Sequence, residues 1–123
     1  MLDYKTITIA VVGASADPEK YGHKVFRDLL KSGYHAVAVN PKGEPILEQT
    51  VYKTLKDIPK LPELVITVVP PPVTEKIIDE CHELGIMNLW MQPGSESDEA
   101  VRKAKSYGMT ATSACFMTRN HLW

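Results

Sequence analysis

Apolar residues along this chain gather into short blocks separated by longer stretches of mixed character. Four blocks read as buried strands: "TITIAVV" (6–12), "HAVAVN" (35–40), "ELVITVV" (63–69) and "MNLWMQ" (87–92). A weaker fifth is "MTATSA" (109–114). Val, Ile and Thr dominate the first three, as expected for strands covered on both faces. The intervening stretches carry helical spacing. "KVFRDLLKSG" (24–33) puts Val25, Phe26, Leu29 and Leu30 on one face. "VTEKIIDECHELG" (73–85) does the same with Val73, Ile77, Ile78, Cys81 and Leu84. "SESDEAVRKAKSYG" (95–108) opens on Ser and acids and closes on lysines, matching the polarity of a helix.

Three junctions repeat one pattern. Gly33-Tyr34, Gly85-Ile86 and Gly108-Met109 each end a helix and start a strand. Helix, glycine, strand, repeated, predicts an alternating α/β chain with a parallel sheet. The expected architecture is a three-layer Rossmann-like sheet with helices on both faces. Segment 43–62 breaks the rhythm with three prolines. It predicts a short strand near Val51 and a helical turn near Leu55–Ile58. One domain over 1–123 is expected, since 123 residues suffice for one core and not comfortably two.

Charge and composition narrow the function classes. The formal net charge of -1 provides no overall field toward nucleic acid or an anionic membrane, so neither is an expected partner. The start "MLDYKTITIA" reads neither as a signal peptide nor as a membrane span. Two distant cysteines, Cys81 and Cys115, fit a reducing, cytoplasmic setting better than a disulfide scaffold. His23, His35, His82 and His121 are scattered, and no metal site is expected. Cys81 falls on an apolar stripe and reads as core. Cys115 follows the last strand; a disulfide with a thiol ligand is the reactive alternative to a structural role. Trp123 ends the chain as a partner contact or a fraying end.

In an open parallel sheet, ligands bind outside the carboxyl ends of the strands. The informative residues are therefore those just after each strand: Gly13-Ala14-Ser15, Asn40-Pro41-Lys42, Pro70-Pro71-Pro72 and Pro93-Gly94-Ser95. They shape backbone and hold; none pairs a nucleophile with a base. Gly13 falls where phosphate loops fall, but the loop is not G-x-G-x-x-G. Lys20 and Tyr21 lie in a long excursion that could cover a ligand, and Lys24 sits in the first helical turn. An NAD site usually has an acid after the second strand; here Lys42 stands there instead. A ribose phosphate suits it, as in NADP or coenzyme A. Pro41 aims that lysine. Pro70-Pro71-Pro72 reads as a stiff apolar shelf, and Ser95 as a helix cap.

The segments "IAVVGAS", "VNPK", "VVPPPVT" and "LWMQPGSESDEA", in this order, resemble the small stand-alone CoA-binding proteins of Rossmann type. That family is related to the CoA-binding domains of succinyl-CoA synthetase α subunits and NDP-forming acyl-CoA synthetases. The resemblance covers roughly 6–117. It implies that Gly13, Ala14 and Ser15 hold the CoA pyrophosphate, with Lys20 or Tyr21 assisting. Val39, Asn40, Pro41 and Lys42 would meet the adenosine ribose and its 3′-phosphate. Val69, Pro70, Pro71 and Thr74 would flank the adenine and lead to the pantetheine path. Gln92, Pro93 and Gly94 would line the outer edge. The family often has Cys-Pro and a downstream acid near the C-terminus; here Phe116 follows Cys115 and no acid follows it. The chain is too short for the phosphohistidine and grasp domains of the synthetases, so the ligase reaction does not carry over. The implied role is a non-catalytic carrier, sensor or subunit binding CoA or a short acyl-CoA, as a homodimer or in a larger CoA-using complex. The alternatives are an NADP-binding reductase-like domain and a redox-sensing regulator.

Overall fold

The computed structural model describes residues 2–123. In chain order the elements are β1 (Thr8–Val12), α1 (Tyr21–Lys31), β2 (His35–Val39), β3 (Val51–Tyr52), a 3-10 turn (Leu55–Asp57), β4 (Leu64–Thr67), α2 (Pro71–Leu84), β5 (Asn88–Met91), α3 (Asp98–Ser106), β6 (Thr110–Ser113) and α4 (Phe116–Arg119). All five expected strands form, and Val51–Tyr52 supplies the short one. The six strands pair in parallel in the order β3-β2-β1-β4-β5-β6. The chain thus builds outward from β1 to one edge and then returns beside it, so strand order reverses between β1 and β4.

Alternation along β1 shows why the sheet is covered twice. Ile7, Ile9 and Val11 face one layer with Val25, Phe26 and Leu29 of α1 and with Phe116 and Met117 of α4. Ala10 and Val12 face the other layer with Ile78 and Cys81 of α2 and with Ala100 and Ala104 of α3. Each side chain in both sets is within the buried core, so a central strand can be apolar throughout.

The C-terminal tail belongs to this core. Phe116 lies edge-on to Tyr4, Tyr34 and Trp90 at centroid distances of 5.2, 5.8 and 5.0 Å. Trp123 does not fray: its indole N–H donates to Asp28 (2.7 Å) and its ring lies 5.5 Å from that of Tyr21. Gly33, Gly85 and Gly108 take left-handed φ values of +82°, +78° and +74° at the helix exits.

Two helix starts differ from expectation. The second helix begins at Pro71 rather than residue 73, because proline's fixed φ suits the first turn. Pro71 and Pro72 are therefore helical, and the expected three-residue shelf reduces to Pro70 and the exposed rings beside it. The third helix is capped by Ser97, whose Oγ accepts from Ala100 N (3.0 Å). Ser95 instead is buried, bonded to Thr67 Oγ1 (2.9 Å) and the Gln92 carbonyl (2.7 Å).

Candidate functional site

The β1–α1 loop is held by close backbone contact. Gly13 has φ +105°, and a Cβ there would lie 2.2 Å from the Val68 carbonyl oxygen. Gly22, in the first turn of α1, faces the same loop: a Cβ would lie 2.0 Å from Gly13 O. Two glycines nine positions apart thus perform the tight turn and the helix–strand approach that a dinucleotide loop achieves within six residues.

The loop's carbonyls are turned inward and bonded. Asn40 Nδ2 donates to Ala14 O (2.7 Å), and buried His23 Nδ1 donates to Ser15 O (2.8 Å). Ser15 Oγ accepts from Asp17 N (3.1 Å). Among the described residues, no protein hydrogen bond engages the N–H groups of Ala14, Ser15 or Ala16. Carbonyls tied back and amides left over make a concavity suited to an anion. The α2 end is the opposite case. Pro71 and Pro72 have no N–H, while Val73 N and Thr74 N donate to Pro70 O (2.9 and 3.1 Å). Of the two helices flanking the reversal point, α1 is the one whose loop can take phosphate.

Three cavities adjoin along the carboxyl edge. A crevice of about 380 Å³ is lined by Val12, Gly13, Val39, Pro41, Val69, Val73 and Ile77, with Lys53, Thr54, Lys76 and Glu80 around them. A cavity of about 250 Å³ is lined by Ser15, Ala16, Asp17, Asn40, Lys42, Glu44 and Ile46. A third, of about 350 Å³, lies between the ends of β4 and β5, against Val68, Val69, Pro70, Pro71, Pro93, Gly94 and Ser95. Val69 belongs to both the first and the third, so these two lie on either side of that residue at the end of β4.

Most of the residues expected at the site are brought together here. Gly13, Val39, Pro41 and Val69 line the central crevice; Ser15, Asn40 and Lys42 line the second cavity; Pro70, Pro71, Pro93 and Gly94 line the third. Others sit elsewhere. Ala14 and Thr74 are fully buried, and Thr74 Oγ1 has no partner among the described residues. Lys20 is exposed and precedes α1 as its N-cap residue. Gln92 is not at the outer edge: it is 0% exposed, accepting from Phe116 N at Oε1 (2.6 Å) and donating from Nε2 to Tyr21 OH (2.8 Å). Tyr21 is engaged in turn, its hydroxyl 3.5 Å from Cys115 Sγ. Burial, then the Cys115 neighbour, pushes its phenol up to about 12. Burial pushes the Cys115 thiol up, but hydrogen bonds from Thr118, Tyr21 and Gln92 together outweigh it and bring the thiol down to about 7. Asn40 spends both ends of its amide on the protein, since Oδ1 also accepts from Lys42 N (2.8 Å).

Sequence reasoning missed Lys53 and Lys76. Lys53 directly follows β3, whereas Lys42 lies three residues past the end of β2; the Lys53 stem lies across Gly43, where an added Cβ would be 3.0 Å from Lys53 Cε. The signal was the short strand itself, whose following residue belongs to the same edge. Lys76 sits one turn into α2, on the face shared with Val73, Ile77 and Glu80.

Comparison with known proteins now bears on the fold and the site together. Residues 7–121 match the profile of the family described as CoA binding domain. The chain is 34% identical over 122 residues to the α subunit of acetate–CoA ligase [ADP-forming] II of Pyrococcus furiosus, a match taking in 89% of this chain and 27% of that one. The chain therefore spans about a quarter of the length of that curated relative. A conserved hypothetical protein from Pyrococcus furiosus superposes with a TM-score of 0.86 at 36% identity, over 92% of this chain and 98% of its own. A dinucleotide-forming acetyl-coenzyme A synthetase of Ca. Korarchaeum cryptofilum superposes with a TM-score of 0.73 at 30% identity, over 88% of this chain and 26% of its own. No described helix is long and apolar enough to cross a membrane. With a six-stranded parallel sheet, a glycine-turned loop at its reversal point and a family profile spanning nearly all its length, the chain belongs to the CoA binding domain family, whose cofactor is coenzyme A.

Proposed function

We propose that this chain binds coenzyme A, free or carrying a short acyl group, along the carboxyl edge of the sheet, as a non-catalytic carrier, sensor or subunit of a larger CoA-using system. The observation that carries the reading is the apolar crevice of about 380 Å³ at the reversal of strand order, bordered by Lys53 and Lys76 and adjoining the loop with unbonded amides. The parts of the cofactor fit these surfaces one by one. The adenine suits the aliphatic walls of Val39, Pro41, Val69, Val73 and Ile77. The pyrophosphate suits the amides of Ser15 and Ala16, both of which line the second cavity. The 3′-phosphate suits the cationic side at Lys42, Lys53 and Lys76. The pantetheine arm would pass Val69, which lines both the central crevice and the β4–β5 cavity. When bound, the cofactor supplies a thiol that carries acyl groups as thioesters.

Two features support holding over transforming. The central walls are the aliphatic side chains of Val12, Val39, Val69, Val73 and Ile77 with Pro41, which pack on a ligand and carry no group that could act on it chemically. The one carboxylate among the lining residues, Glu80, accepts from Leu55 N (3.4 Å). The chain also matches just over a quarter of a ligase subunit, as a binding module working beside other parts would.

The test is a thermal shift series with CoA, dephospho-CoA, NAD and NADP. A ligand at 100 times its Kd stabilises the fold by about 2.7 kcal/mol. The largest shift is expected with CoA, a smaller one with dephospho-CoA, and convergence of the two in the Lys42→Ala, Lys53→Ala double variant. Equal shifts in the natural protein would remove the phosphate assignment. Turnover of acetyl-CoA by the purified chain would remove the carrier assignment.

A further inference from the structure

The β4–β5 cavity has a chemistry of its own. Three of its seven lining residues, Pro70, Pro71 and Pro93, have no N–H to offer. Val68 N donates to Val12 O (2.8 Å), and Ser95 N and Oγ both donate to Gln92 O (2.9 and 2.7 Å). Gly94 N is clasped by the Glu96 carboxylate, at 3.3 Å to Oε1 and 3.2 Å to Oε2. Val69 is left as the one lining residue whose N–H has no partner among the described residues.

No lysine or arginine is among the lining residues, whereas one carboxylate, that of Glu96, is bonded to the N–H of the lining Gly94. Half-buried Glu96 sits over Gly94, and Glu75 of α2 accepts from Ser97 Oγ (3.2 Å) just beyond it. The usual anion-binding device, a helix N-terminus, is cancelled at α2 by its two leading prolines.

Building on the CoA reading above, we propose that this cavity receives the acyl end of the cofactor and selects against acyl groups ending in a carboxylate, with Glu96 as the specificity-determining residue. One neutral amide suits the single carbonyl of a thioester. A second negative charge beyond it meets Glu96, which no lysine or arginine pairs among the described residues, in a crevice where dielectric screening is weaker than in water. Glu75, farther out, is offset by Lys103, whose Nζ reaches the Glu75 carbonyl (3.4 Å). The class accepted is a free thiol or a short uncharged acyl group; dicarboxylic acyl-CoA is refused.

The experiment is calorimetric titration of the whole chain with CoA, acetyl-CoA and succinyl-CoA at low and high salt. Acetyl-CoA is expected within about twofold of CoA, and succinyl-CoA at least about fivefold weaker at low salt, the gap narrowing as salt screens the carboxylates. Glu96→Gln should shrink the gap, and Glu96→Lys should reverse it. Glu96 is a half-buried loop residue outside the core clusters, and circular dichroism of both variants checks that they fold. Succinyl-CoA binding as tightly as acetyl-CoA, or a gap indifferent to both Glu96 variants, overturns the proposal while leaving CoA binding intact. Absence of binding by CoA itself overturns the reading beneath it.

Discussion

Gly22 stands so close to Gly13 that a methyl group on its α-carbon would lie 2.0 Å from the Gly13 carbonyl oxygen. The contact is backbone to backbone, so no side chain can swing aside to relieve it. It joins the first turn of α1 to the end of β1 and fixes where the loop between them runs.

Gly22→Ala must therefore move the helix or the loop. Overpacking of this kind costs about 1–3 kcal/mol. For a chain of this size that lowers the Tm by roughly 4–12 °C. Urea unfolding should show a lower midpoint with an unchanged slope, since the native core is the same. The CoA-induced thermal shift should fall further than stability alone requires, because the displaced loop no longer presents its amides. A Gly22→Ala protein with normal stability would show that the helix relaxes freely.

The Asn40 amide is a strap across two loops, donating to Ala14 O and accepting from Lys42 N. Asn40→Asp keeps the acceptor but sets a carboxylate oxygen against the Ala14 carbonyl. Each hydrogen bond lost is worth about 0.5–1.5 kcal/mol net. The expected outcome is a fold that survives with CoA affinity reduced about tenfold in calorimetry, as both halves of the site loosen together. Asn40→Asp binding as tightly as the natural protein would show that loop position does not depend on this strap.

The edge of the sheet was legible from the chain because strand ends are marked by type: Gly13, Asn40-Pro41, Pro70 and Pro93-Gly94 each follow an apolar run. What could not be read was which polar groups the fold spends on itself. Asn40 and Gln92 look like ligand contacts in sequence. Only three-dimensional placement puts Ala14 and Lys42 on either side of one, and Phe116 and Tyr21 on either side of the other. Lys53 was hidden for a different reason. Its strand is only two residues long and lies among prolines, so periodicity gave it little weight. The tail was unreadable because its burial depends on Tyr4, Tyr34 and Trp90, residues 26 to 112 positions away from Phe116.

Cys115 and Cys81 should separate cleanly by reactivity. Hydrogen bonding brings the Cys115 thiol from its ordinary 9.0 down to about 7 against the opposing effect of burial. Burial and the nearby Glu80 push Cys81 up to about 12. The thiolate is the nucleophile, so alkylation of Cys115 by iodoacetamide should rise with a midpoint near pH 7 while Cys81 stays unmodified through pH 9. Tyr21→Phe removes one of the stabilising donors and should move the midpoint upward. The folded value lies below the ordinary one, so ionisation favours the fold. That contribution is full above pH 9.0 and is lost as pH falls through about 7. Peptide mass spectrometry across the pH series checks all of this; a Cys115 midpoint above pH 8 would contradict it.

Gln92 ties the tail to the site, and two substitutions isolate what it does. Its Oε1 satisfies the buried N–H of Phe116, and its Nε2 reaches Tyr21 at the head of α1. Gln92→Leu keeps the volume but strands that N–H, at a cost of about 1–3 kcal/mol. Gln92→Glu retains an acceptor for Phe116 N, yet places an ionisable carboxyl where the native side chain is 0% exposed. Burial raises the pKa of such a group, so its neutral form is the one the fold tolerates. A carboxyl with a raised folded pKa gives stability that is present below its unfolded pKa and lost as pH rises toward the folded value. Gln92→Glu should therefore approach natural stability near pH 4 and fall below Gln92→Leu at pH 8. Paired melts at the two pH values decide it. A Gln92→Glu protein equally stable at both would mean that water reaches the carboxyl and that the tail is less tightly sealed than its contacts indicate.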